Sequence, residues 1–127
     1  VPSSLTSQQC FLSQSESQIW LEKKEEWEAL PVAARQQFES AEIDFTQHNI
    51  LIISGGQKNT AGYGLELTHW LLEQDHWQVT RIVRQPPEGA MLAQVITSPC
   101  LLVKIPKSIK TFTLNSEEGQ VLGRWPY

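Results

Sequence analysis

The chain has 127 residues, of which 40% are hydrophobic and 19% charged, with a formal net charge of −4. That is enough apolar content for one buried core and too much for a disordered tail. The ten Lys and Arg are scattered among 14 Asp and Glu, which argues against nucleic acid as a partner, because phosphate binding needs a basic stripe. No apolar run reaches the roughly 18 residues of a membrane-crossing helix.

Residues 1–17 are rich in Ser and Gln and lack the basic start and apolar stretch of a signal peptide. They are expected to form a polar leader or tether, ahead of a single β domain over residues 18–127. The two cysteines leave two readings open. Cys10 and Cys100 either pair, pinning the leader to the body and closing a long loop, or leave Cys100 buried and Cys10 loose. Their spacing is not that of a metal or redox site, since there is no CxxC and no neighbouring His.

Residues 18–23 alternate as a short strand, with Ile19 and Leu21 on one face. Residues 24–30 are dense in helix formers, with Trp27 and Leu30 on one side. Pro31 ends or restarts that helix, and residues 31–40 suit a second short one with Val32, Arg35 and Phe38 aligned. The grammar changes at Ile43. Residues 49–54, Asn-Ile-Leu-Ile-Ile-Ser, form a β-branched apolar run that marks a buried strand. It ends at Gly55-Gly56, and a loop runs on to Gly62. Residues 63–68 alternate as a strand with Tyr63, Leu65 and Leu67 on one face. Residues 73–76 suit a hairpin turn into a strand at 77–84. Pro86-Pro87 breaks the pattern, and 92–97 and 101–105 read as two strands hinged at Ser98-Pro99. A terminal hairpin is expected from 110–114 and 120–125. About seven short strands, with helix confined to the first third, predict a mainly β (α+β) fold. The expected architecture is an antiparallel β-sandwich or open barrel with one or two short N-terminal helices.

Little in this pattern carries catalytic chemistry. The loop Ser54-Gly-Gly-Gln-Lys-Asn-Thr-Ala-Gly-Tyr-Gly follows an apolar strand, as phosphate-binding loops do, but leads into a strand instead of a helix N-terminus and lacks the Lys-Ser/Thr ending. There is no Gly-x-Ser-x-Gly elbow, and His48, His69 and His76 are scattered. No enzyme activity, metal or cofactor is expected. Two readings of the loop remain, a turn that uses glycine for φ > 0 and an exposed recognition loop. In the second, Asn59, Thr60 and Tyr63 contact a protein partner and Gly62 is structural. Tyr63 equally suits a core-facing ring. Trp125, in the terminal Gly-Arg-Trp-Pro-Tyr, suits either an exposed interface anchor or the docking of a final strand.

Residues 25–106 resemble the C-terminal domain of the PrcB family of protease-complex subunits. The resemblance is carried by Glu25-Glu-Trp-Glu-Ala-Leu, by Ile43-Asp-Phe, by Gly56-Gln-Lys-Asn-Thr-Ala-Gly-Tyr and by Val95-Ile-Thr-Ser-Pro-Cys-Leu-Leu-Val-Lys-Ile-Pro. The third matches a Gly-x-x-x-Thr-x-Gly-Tyr signature and the last a closing strand pair. Cys100 departs from that pattern, and Asn59 departs from a frequent Pro before the Thr. The resemblance implies an exported bacterial domain, periplasmic or tethered to the membrane, that supports or stabilises a protease complex. Its partner would then be a protein, a protease among the candidates, with oligomeric state left open. Asn59-Thr-Ala-Gly-Tyr is also similar to a loop of chagasin-like cysteine protease inhibitors, and Arg124-Trp125 to a second inhibitor loop. This implies protease inhibition through residues 59–63 as the alternative function. The inhibitors' Pro and Gly-x-Gly-Gly loop are missing.

Overall fold

A computed structural model describes residue 2 and residues 4–126. Among them are eight strands, β1 (Ser4–Ser7), β2 (Ser17–Leu21), β3 (His48–Ser54), β4 (Gly64–Leu72), β5 (His76–Arg84), β6 (Cys100–Pro106), β7 (Thr111–Asn115) and β8 (Val121–Trp125). Two short helices, α1 (Lys24–Glu28) and α2 (Val32–Gln36), lie between β2 and β3. The strands make two four-stranded sheets, in the orders β1-β6-β3-β2 and β4-β5-β7-β8. All pairs are antiparallel except β5 with β7, which is parallel. The expected mainly β sandwich with short N-terminal helices is therefore the observed fold.

The apolar run 50–53 organises it. Flanked by β2 and β6, β3 is central and buries both of its faces. Leu51 and Ile53 join Leu101, Val103 and Ile105 of β6 in a core against the second sheet, with Val79, Phe112 and Leu114 opposite. Ile50 and Ile52 point the other way, with Leu102 and Cys100, into a second core closed by Leu21, Phe38 and Ala41. Three layers result: the helices with the leader residues around Cys10, the first sheet and the second sheet. An antiparallel strand with only one covered face would alternate apolar and polar. Here the helical cover explains the unbroken apolar run. The alternation in β2 places Ile19 and Leu21 in the second core as expected, together with Trp27 and Leu30. Glu26 helps to start α1, its Oε1 accepting the N–H groups of Glu22 and Lys23 at 3.0 Å each.

Two elements differ from the sequence reading. The segment read as a leader supplies a strand, since residues 4–7 pair with residues 100–103. Its Cys10 is buried and disulfide-bonded to Cys100, with a Cα–Cα separation of 6.2 Å. With Leu5 its one apolar residue, β1 is too short and polar to stand out by periodicity. The expected strand at 92–97 is a correction. Only Thr97 and Ser98 form isolated bridges, to Lys58 and Gln9. This stretch crosses from the second sheet to the first, and its neighbour over 58–61 is a loop, so no ladder extends along it.

Candidate interaction site

Two connections meet at one end of the sandwich, residues 55–63 between β3 and β4 and residues 85–99 between β5 and β6. They are stitched in antiparallel fashion. Lys58 donates its N–H to the Thr97 carbonyl (2.8 Å) and accepts the Thr97 N–H (2.9 Å). Ala61 donates to the Ala93 carbonyl (3.1 Å), and the Thr97 hydroxyl donates to the Thr60 carbonyl (2.9 Å). Gly62 fits this junction for two reasons. It holds φ +101°, a region costly for L side chains, and an added Cβ would sit 2.8 Å from Pro86 Cβ. Gly56, at φ +81°, lets the backbone pass close to the leader, where a Cβ would lie 2.9 Å from the Gln14 carbonyl. That carbonyl accepts the Gln57 N–H at 2.9 Å.

The positions singled out from the sequence separate on this scaffold. Asn59 is exposed and Thr60 half-buried, so both side chains lie at the loop surface. Tyr63 is half-buried just before β4, with the Lys58 ammonium 5.2 Å from its ring centroid, within cation–π range. Trp125 does not join them. It is 3% exposed and stacks on Trp20 at 5.8 Å between ring centroids. Through Phe112 and Trp77 its register places it at the end of the second sheet opposite the Gly64–Arg84 pair. The expectation of an exposed anchor at Trp125 is thus corrected: the terminal strand docks by this ring. The two segments that resemble inhibitor loops are consequently not side by side.

The structure adds residues that the sequence reading did not connect with the site. Met91 is fully exposed, and Val95 and Ile96 are half exposed at 50% and 55%. Val95 and Ile96 lie alongside Asn59 and Thr60, between the Lys58–Thr97 and Ala61–Ala93 hydrogen bonds. A polar hollow of about 610 Å³ is lined by Lys58, Tyr63, Arg81, Arg84, Glu16 and Glu117. Arg81 is buried, and its Nη1 donates to Glu16 of the leader at 3.0 Å, as a buried guanidinium requires. Residues 65 apart in sequence leave no local signal of such a pair. Arg84 binds Glu66 at 2.9 Å; this hydrogen bond holds the Glu66 carboxyl below its ordinary range and raises the Arg84 guanidinium. A larger apolar groove of about 780 Å³ lies on the helical side of the molecule, lined among others by Trp27, Val32, Phe38 and Phe45.

Among the described residues no group of three or more His, Cys, Asp or Glu is placed to hold a metal ion. None of the described helices is long and apolar enough to cross a membrane. The site thus combines two stitched loops, a buried Arg81 paired with a half-exposed Glu16, and exposed apolar side chains.

The model of the PrcB C-terminal family matches residues 50–106. The match runs from β3 to β6 and contains both stitched loops, and it bears out the resemblance over that stretch. Residues 25–30 and 43–45, which also carried the resemblance, lie outside it. No curated protein and no solved structure matches the chain.

Proposed function

We propose, from the PrcB C-terminal match over residues 50–106, that the chain is a non-catalytic module that binds a protein partner through the stitched loops. Its role in this reading is that of an accessory or stabilising subunit of an exported bacterial protease complex, acting in the periplasm or tethered at the envelope. The observation that carries the binding role is the joining of the loops at 55–63 and 85–99. They hold Asn59 and Thr60 alongside exposed Val95 and Ile96. Scaffolds commonly present recognition on loops in this way. The protease context comes from the family resemblance.

The test compares wild type with the Asn59→Ala/Thr60→Ala double variant in affinity capture from the native envelope fraction. A protease polypeptide is expected with wild type, and about tenfold less of it with the variant, a change worth about 1.4 kcal/mol of binding. Equal recovery at equal folding would overturn the role of the loop, and recovery of no protease would overturn the protease assignment. Inhibition by residues 59–63 makes a separate prediction, loss of papain-like protease activity on titration. With Trp125 buried at the far end of the second sheet, no such loss is expected.

A further inference from the structure

We infer that the outer edge of residues 94–98 is a docking edge for an extended segment of the partner protein, which adds there as a β-strand. This deepens the proposed function at the same loops and rests on that reading for the identity of the partner.

The inference starts from a mismatch between composition and structure. Residues 92–97, Leu-Ala-Gln-Val-Ile-Thr, have the makeup of a strand, yet no ladder runs along them. Their inner side is held at two points, and Val95 between them makes no backbone hydrogen bond among the described residues. Thr97 uses both its N–H and its C=O on Lys58, and the Ala93 carbonyl accepts from Ala61. In an extended chain, successive residues present these groups to opposite sides, so those of Gln94, Ile96 and Ser98 face outward. Ser98 is already used in this way by the leader: its N–H donates to the Gln8 carbonyl at 2.7 Å and its C=O accepts the Cys10 N–H at 3.2 Å. The next two steps along the edge, Ile96 and Gln94, make no backbone hydrogen bond among the described residues. A strand thus begins to be added at Ser98 and stops one step later, where the side chains become exposed.

The chemistry of the edge specifies what continues it. Residues 89–97 carry no charged side chain, while Met91, Val95 and Ile96 offer apolar surface. An uncharged extended segment with β-branched side chains satisfies the free N–H and C=O groups and covers this surface. Strand addition of this kind draws affinity from the main chain and specificity from alternate side chains.

The probe is a fluorescein-labelled, end-capped Thr-Val-Thr-Val-Thr-Val peptide, titrated with the whole chain by fluorescence anisotropy. Saturable binding is expected. N-methylation of alternate peptide amides should weaken it about tenfold, and so should Gln94→Pro, which removes an outward N–H from an exposed position. Gln94→Ala, which keeps that N–H, should change affinity by no more than about twofold. Circular dichroism and thermal melting confirm that each variant is folded. No binding by wild type, or binding indifferent to both N-methylation and Gln94→Pro, overturns the inference. Self-association of the wild-type chain that Gln94→Pro abolishes would overturn the assignment to a different protein. Peptide binding without protease capture leaves the docking edge standing and removes the protease; protease capture without peptide binding does the reverse.

Discussion

The strand pair β3–β6 and the stitched loops that flank it both lie inside the family match, yet they are held in opposite ways. Over residues 50–53 and 101–105 nearly every side chain is buried, on two faces, and the backbone is paired along seven consecutive positions. The loops rest on a few isolated hydrogen bonds and three glycines at positive φ, with apolar side chains left in solvent. Burial of about 25 cal/mol per Å² holds the first region without help. The second gains little from burial and depends on its frame. Local stability follows contact density, and binding loops come from its low end.

The comparison can be broken by substitution, and the largest effect is expected in the strand pair. Ile52→Ala empties a site 1% exposed between the first sheet and the helices, and should cost about 2–5 kcal/mol in urea unfolding. Val95→Ala in the loop should stay within about 0.5 kcal/mol. Similar losses at the two positions would erase the distinction. Removing the disulfide with Cys10→Ser/Cys100→Ser acts on the frame. It opens a link between residues 90 apart and should lower unfolding free energy by about 2–4 kcal/mol. An unchanged transition would mean that the leader is held by its other contacts alone.

Gly62→Val comes next. Its Cβ would meet Pro86 at φ +101°, and strain of about 1–3 kcal/mol is expected in thermal melting. Gly64→Ala, with nothing within 4 Å of the added carbon and no positive φ, serves as control. The smallest effect belongs to the exposed Arg84–Glu66 pair. Because Glu66 titrates below its ordinary value of 4.5 when folded, its contribution is present above that value and is lost as pH falls through the lowered one. Glu66→Gln should therefore flatten the acid side of the melting-temperature profile slightly, and added salt should remove the difference. A steeper acid loss in the variant would contradict this sign.

What was legible in the sequence follows the same division. Residues 49–54 declared a buried strand, and residues 77–84 and the terminal hairpin were found by alternation, because each buries a definite face. Residues 92–97 have strand composition but no neighbouring strand, and composition does not reveal a missing partner. The leader strand failed to register because an edge strand of Ser, Leu and Thr has almost no apolar face. At the site, Gly62 was legible, since a glycine in a polar loop signals positive φ. The burial of Trp125 was not, because stacking on Trp20 brings together residues far apart in sequence. The Arg81–Glu16 pair was hidden for the same reason.

Native-state hydrogen exchange on the isolated chain tests most directly whether the loops offer an open edge on a closed frame. The amides of residues 50–53 and 101–105 should exchange only through global unfolding. Those of Lys58, Ala61 and Thr97, each donating within the stitch, should show intermediate protection. The amides of Gln94 and Ile96 should exchange at nearly the rate of an unstructured peptide. Protection at Gln94 and Ile96 equal to that of the β6 amides would contradict the account, because the edge proposed to receive a partner would already be closed.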